Sequence, residues 1–114
     1  MDERIEKAFA TANFMATLSN QRRIILEEYT QKLIYYVAGS TFKITPDLIS
    51  FVSIMVDRTE DLILIDSNNL PVKIENPEKF LNDMVVIYNS ASKEYFEKYL
   101  NIKTKRKIID IIEL

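Results

Sequence analysis

The same helix-start signal occurs twice in this chain, and it divides the 114 residues into segments. Thr45-Pro46-Asp47 and Asn76-Pro77-Glu78 each place a capping side chain before a proline and an acid. The capping side chain accepts a hydrogen bond from a free amide, proline suits the first helical position, and the acid favours the positive end of the helix dipole. The sequence therefore predicts one helix from about Pro46 and another from about Pro77.

These two helices differ in their apolar content. The first is apolar around most of its circumference from Leu48 to Val56, and it is predicted to end before Asp57-Arg58. A helix of this kind is usually buried between layers. The second carries apolar residues at helical spacing and is predicted to run to about Leu100.

Residues 2–37 also carry apolar side chains three, four or seven positions apart, which indicates a helix. The apolar series changes phase between Ala16 and Leu18, just before Ser19-Asn20. We expect one helix of about 35 residues, although two helices with the serine as the second cap would also fit. Gly39, the one glycine of the chain, is expected to terminate this helix.

Short β-branched and aromatic runs predict three strands. Residues 41–45 alternate and form the first, and residues 62–65 and 72–74 form a hairpin around a turn at residues 66–71. The predicted fold is α+β, in the order α-β-α-β-β-α. It has a three-stranded, mainly antiparallel sheet, two long helices packed together and an apolar C-terminal tail. We expect residues 1–114 to form a single domain.

Missing residue types exclude several chemistries. The chain has no cysteine and no histidine, which excludes thiolate zinc sites, cysteine nucleophiles and an imidazole base. One glycine is too few for a phosphate-binding loop. We therefore expect no enzyme and no catalytic, cofactor-binding or metal-binding residues. The acids near the hairpin are expected to be solvated rather than to bind magnesium: Asp57, Glu60, Asp61 and Asp66.

Aromatic residues are concentrated on the two predicted long helices, at Tyr29, Tyr35, Tyr36, Tyr88, Tyr95, Phe96 and Tyr99. Tyrosine buries a large area while its hydroxyl remains available, which suits helix interfaces. These residues either join the two helices of one chain or contact a second subunit. A helix of about 35 residues is about 50 Å long, more than a globule of this size can cover, which favours a homo-oligomer. Candidate partner contacts are Tyr29, Tyr36, Tyr95 and Tyr99.

The C-terminal tail is rich in isoleucine and carries only two acids. It folds back on its own core as a strand or short helix, or it docks on a partner by strand addition or as a helix in a groove. Its candidate partner contacts are Ile108, Ile109, Ile111, Ile112 and Leu114.

A basic segment, residues 103–107, precedes the tail and is predicted to interrupt the helical pattern. Its candidate nucleic-acid contacts are Lys103, Lys105, Arg106 and Lys107. Cations can bind phosphate backbones, but they are also favoured at a helix C-terminus by its dipole. Because the net charge is −2, we expect a solvated helix end rather than nucleic-acid binding.

No apolar run approaches the roughly 18 residues that span a bilayer, so no membrane association is expected. The first residues are charged and no apolar block follows them, which differs from a signal peptide. We expect the protein to act in the cytoplasm.

Several segments resemble small proteins of T4-like marine phages, especially cyanophages. They are residues 1–8, 15–23, 41–49 and the turn at 66–71. The resemblance implies a host cytoplasm, and a role in the virion or its assembly with other phage or host proteins. The resemblance implies no particular activity and no site residues.

The leading hypothesis is therefore a non-enzymatic structural or assembly protein that acts through protein contacts and self-association. The alternative is a nucleic-acid or replication accessory factor that uses residues 103–107 and the apolar, acidic tail.

Overall fold

The structure is a computed structural model that describes the backbone of residues 2–113 and the side chains of residues 2–107. It contains three helices and two two-stranded antiparallel sheets within these residues. The elements in chain order are α1 (Glu3–Lys32), β1 (Ile34–Val37), β2 (Ser40–Lys43), α2 (Pro46–Met55), β3 (Leu62–Ile65), β4 (Pro71–Ile74) and α3 (Pro77–Glu113). The prediction of an α+β fold is confirmed.

The chain forms two compact units, and α1 and α3 contribute residues to both. The helical unit comprises residues 2–28 and 94–113, and the α/β unit comprises residues 29–93. The single domain that we expected stays a prediction.

Both predicted helix starts are confirmed. The Thr45 side chain accepts a hydrogen bond from the Leu48 amide at 3.1 Å, and the Asn76 side chain accepts one from the Lys79 amide at 3.1 Å. These side chains bond amides that have no partner within the helix, as the sequence indicated. The helix from Pro46 also ends where predicted, at Met55.

The first helix is continuous through Ser19-Asn20, as expected, but it is shorter than predicted. It ends at Lys32, and the following residues form β1 instead of a last helical turn. Tyr35 and Tyr36, which we placed on the helix, therefore lie on a strand. The reason is the run of aromatic and β-branched residues at 34–37, which pairs with β2 in an antiparallel register.

Gly39 does not terminate a helix. It forms the two-residue turn of the β1–β2 hairpin together with Ala38, and both residues have positive φ, 52° for Ala38 and 74° for Gly39. A two-residue hairpin turn matches the twist of its strands when both turn residues have left-handed backbone. Glycine adopts this conformation without steric cost.

The predicted three-stranded sheet is wrong, because the four strands form two separate hairpins. The hairpin of β3 and β4 was predicted correctly, with Leu62 opposite Ile74. A backbone hydrogen bond of 2.9 Å from the Ser67 amide to the Thr41 carbonyl joins the loop of this hairpin to β2. The strand that the sequence did not predict is β1.

The core of the α/β unit gathers side chains from both hairpins, α2 and the first part of α3. Ten buried residues form it, namely Leu33, Phe42, Ile44, Val52, Leu62, Leu64, Ile74, Phe80, Met84 and Ala91. Phe42 and Phe80 meet edge to face with ring centroids 5.3 Å apart. As predicted, α2 packs Val52 fully into this core, but Phe51 and Ile54 on its other side are exposed.

The last helix is longer than predicted. It runs through the basic segment and through residues 108–113 without a break, whereas we expected it to end near Leu100. Lysine and arginine are good helix formers, so a run of them at an exposed position does not end a helix.

Candidate interaction surfaces

The helical unit is built from two antiparallel helical segments, residues 3–28 of α1 and 94–113 of α3. The Lys98 ammonium bonds the Glu28 carboxylate at 2.6 Å and the Glu94 carboxylate at 3.1 Å. Further along, Leu18 and Ile102 line one small cavity of about 70 Å³. Residue numbers thus fall along α1 as they rise along α3, which fixes the antiparallel direction.

Few of the described apolar side chains of this unit are fully buried. Among its described side chains, the buried apolar ones are Leu18 and Ile102. The side-chain oxygen of Gln21 is also buried, and it has no hydrogen-bond partner among the described residues. In contrast, the large apolar side chains that are at least about a third exposed are Ile5, Phe9, Ile24, Leu26, Phe96, Tyr99 and Leu100. Among residues 2–28 and 94–107, more large apolar side chains are exposed than fully buried, and Phe14, Met15, Ile25 and Tyr95 are half-buried.

The change of apolar phase in the first helix has a structural explanation. Side chains on one face of α1 are at least partly buried, namely Thr11, Phe14, Met15, Leu18, Gln21 and Ile25. A second apolar stripe lies on another face and is exposed, namely Ile5, Phe9, Ala12 and Ala16. Ala16 and Leu18 are about 200° apart around the helix axis. We call the second set the outer stripe; it is not a continuation of the buried face.

Three of the four residues of the outer stripe, Phe9, Ala12 and Ala16, lie in a segment without charge. No residue from Ala8 to Gln21 is charged, although this stretch covers almost four helical turns. A solvated helix face normally carries charged side chains, so this absence is a sign of contact. The apolar spacing of the stripe is visible in the sequence, but it does not show that the stripe is exposed; the gap in charge was the signal that could have indicated a contact surface there.

The structure separates the predicted tyrosine contacts. Tyr29 packs against the core of the α/β unit, and its hydroxyl lies 3.2 Å from the Ser92 hydroxyl, so it serves an intramolecular contact. Tyr36 is 74% exposed on β1 in the same unit. Tyr95 and Tyr99 belong to the helical unit, where Tyr95 is half-buried and Tyr99 is 36% exposed. Tyr29 and Tyr36 thus belong to the α/β unit, and Tyr95 and Tyr99 lie one turn apart on α3 in the helical unit.

The basic residues Lys103, Lys105, Arg106 and Lys107 are all exposed on α3. They occupy a continuous helix and not the break that we predicted. Lys103, Arg106 and Lys107 are spaced by three and four residues and share one side of the helix, while Lys105 lies about 200° from Lys103 around the axis. Three of the four cations therefore share one face.

The tail contacts Ile108, Ile109, Ile111 and Ile112 lie on a helical backbone, but their side chains are outside the described residues. Leu114 is outside them altogether. The assignment of the tail as core or as partner contact stays a prediction.

Of the four acids near the second hairpin, Asp66 differs from our expectation because it is buried. One of its carboxylate oxygens accepts hydrogen bonds of 2.9 Å from the amides of Asn68 and Leu70. Asp61 is exposed and pairs with Lys73 at 3.3 Å. In the described part of the chain, no group of three or more acids is placed to hold a metal ion.

The α/β unit has an open groove of about 280 Å³ between β1, β4 and the start of α3. On its wall the Tyr35 hydroxyl donates a 2.7 Å hydrogen bond to the Asp83 carboxylate. Burial of the phenol, this hydrogen bond and the negative charge of Asp83 raise the pKa of Tyr35 to about 12. This hydrogen bond and the packing of the Tyr35 ring against Phe80 together hold β1 against α3.

This pKa leads to a prediction for alkaline titration. Between pH 10.0 and about 12, the Tyr35 phenol is ionised in the unfolded chain but still protonated in the folded state. Its contribution to the free energy of unfolding is therefore complete below pH 10.0 and is lost as the pH rises to about 12. Titration of tyrosinate absorbance should show one late-ionising tyrosine, which disappears in Tyr35→Phe. The control Tyr36→Phe should keep it. A late step that persists in Tyr35→Phe would contradict the assignment.

No protein-family model, curated protein or solved structure matches this chain in comparison. Among the described residues, none of the helices has the length and apolar character needed to cross a membrane.

Proposed function

We propose that this chain is a non-enzymatic structural or assembly protein that self-associates through its helical unit. The observation that supports this proposal is an imbalance among the described side chains of that unit, of which two apolar ones are buried and seven large apolar ones are at least about a third exposed. Helices in proteins owe most of their stability to packing of an apolar face, and one small layer provides little of it. A second copy would supply the missing contact.

The α/β unit is a weaker candidate for self-association. It also exposes apolar side chains, including Ile63 and Ile65 on the outer face of β3. However, it has its own core of ten buried residues, and single exposed apolar residues are common on folded proteins. The need for an additional contact is therefore greater in the helical unit.

The resemblance to small proteins of T4-like marine phages gives this proposal a setting. A self-associating protein without catalytic residues would fit a role in a phage virion or its assembly, within the host cytoplasm. Nucleic-acid binding through residues 103–107 is our second choice, because the net charge is −2 and Lys105 lies on a different side of α3 from the other three cations.

Light scattering on a sizing column tests self-association. The average mass should rise above the 13.4 kDa of one chain as the concentration increases from low to high micromolar. The double variant Ile63→Lys, Ile65→Lys is the control for the α/β unit and should associate like the wild type. A strict monomer at high micromolar concentration would overturn the proposal. If the control variant lost association, the self-associating surface would lie in the α/β unit and not in the helical unit.

A further inference from the structure

We propose that α1 of one copy packs antiparallel against α1 of a second copy through the outer stripe. This inference rests on the proposed self-association and names its surface and geometry. The stripe consists of Ile5, Phe9, Ala12 and Ala16, all exposed, with Ile5 at 47% and Phe9 at 57%.

The order of side-chain sizes in the stripe favours the antiparallel direction. The spacing of the stripe, four, three and four residues, is the same in both chain directions. Its two bulky residues, Ile5 and Phe9, precede its two small ones, Ala12 and Ala16. Antiparallel pairing sets Ile5 opposite Ala16 and Phe9 opposite Ala12 of the second copy. Each bulky side chain then meets a small one, which close packing favours. Parallel pairing would set Phe9 against Phe9 and leave the alanines facing each other.

Charge supports the same arrangement. Phe9, Ala12 and Ala16 lie within the uncharged segment; residues 2–7 before it carry three acids and two bases, whereas Arg22 and Arg23 follow it. In this register Asp2 lies opposite Ser19 of the second copy. Arg23 of that copy follows Ala16 by seven residues on the same side of the helix, and it is four residues further on, about 6 Å along the axis, within reach of its long side chain. The two ends of the contact are thus complementary in charge, and a second copy of the chain fits better than an unrelated helix.

The contact is limited to about three helical turns, so it belongs to the size class of weak and transient interfaces. We therefore expect a monomer–dimer equilibrium within the micromolar range rather than a permanent dimer. Only a reversible, concentration-dependent association agrees with this geometry.

The first test places one charge in the stripe. Ala12→Glu inserts a carboxylate close to its symmetry mate in the antiparallel pair, and it should raise the dimer dissociation constant at least about tenfold. Ala12 is exposed, so the fold of the monomer should not change. The matched control is Ala10→Glu, the same exchange at an exposed position about 200° away around the helix. It should associate like the wild type, and circular dichroism should show equal helix content in both.

The second test fixes the direction, and the chain suits it because it has no cysteine. Positions 5 and 16 lie about 16.5 Å apart along one helix, so no disulfide can form within a chain. An oxidised mixture of Ile5→Cys chains and Ala16→Cys chains should form a mixed disulfide dimer, and neither variant should cross-link alone. In parallel pairing each variant would cross-link with itself.

The outcomes separate this inference from the proposed function. A wild-type monomer at high micromolar concentration overturns both. A wild type that dimerises while Ala12→Glu dimerises equally well overturns the outer stripe and leaves self-association standing. Self-cross-linking of Ile5→Cys without a mixed product overturns the antiparallel direction.

Discussion

Replacing Phe42 by alanine should lower the free energy of unfolding by about 3–5 kcal/mol, which is the usual cost of a buried phenylalanine. Phe42 is 2% exposed and belongs to the core of the α/β unit, where it meets Phe80 edge to face. The substitution removes apolar burial and an aromatic pair, and it leaves a cavity between β2 and α3. Since small domains have total stabilities of about 5–15 kcal/mol, much of the folded state would be lost.

Phe51 provides the matched control, because the same exchange removes a side chain that is 47% exposed on α2. Phe51→Ala should change the stability by less than about 1 kcal/mol. Urea unfolding followed by circular dichroism, at a protein concentration low enough to limit self-association, measures both. Equal effects of the two substitutions would show that Phe42 is not in the core.

The sequence predicted features that depend on neighbouring residues. The caps at Thr45 and Asn76 each bond an amide three positions away, so local chemistry is sufficient to locate both helix starts. The β3–β4 hairpin is equally local, because turn residues separate two apolar runs. The strand β1 is different, since residues 33–37 fit a helical stripe as well as a strand. Pairing with β2 through the turn at Ala38 and Gly39 decides between them.

The interaction surface was less predictable than the fold. Apolar spacing revealed both stripes of α1, but it could not show which one packs inside the chain. The side chains facing Ile102 lie on the stripe of Leu18, and that leaves Phe9 and Ala12 exposed. The predicted Tyr29 contact is intramolecular for a similar reason, because its partner Ser92 is 63 residues away. Such choices depend on tertiary packing, which spacing alone does not determine.

Removing the Asp66 carboxylate should be costly despite its position beside a loop. Asp66 is 6% exposed, and its two 2.9 Å hydrogen bonds from the Asn68 and Leu70 amides hold the β3–β4 connection closed. Hydrogen bonds to a charged group contribute about 1.5–3 kcal/mol each. In Asp66→Ala the two amides can bond water instead, which recovers part of this free energy. The substitution should therefore lower the free energy of unfolding by about 2–3 kcal/mol.

Two further substitutions show whether the carboxylate acts through these bonds. Asp66→Asn keeps a side-chain oxygen that can accept both of them, so it should recover part of the stability lost in Asp66→Ala. Asp61→Ala removes an exposed carboxylate whose 3.3 Å ion pair with Lys73 is exposed, and it should cost less than about 1 kcal/mol. Thermal and urea unfolding of the three variants measure the order of their stabilities. If Asp61→Ala proved as costly as Asp66→Ala, the lost stability would come from net charge near the hairpin and not from the hydrogen bonds that close its loop.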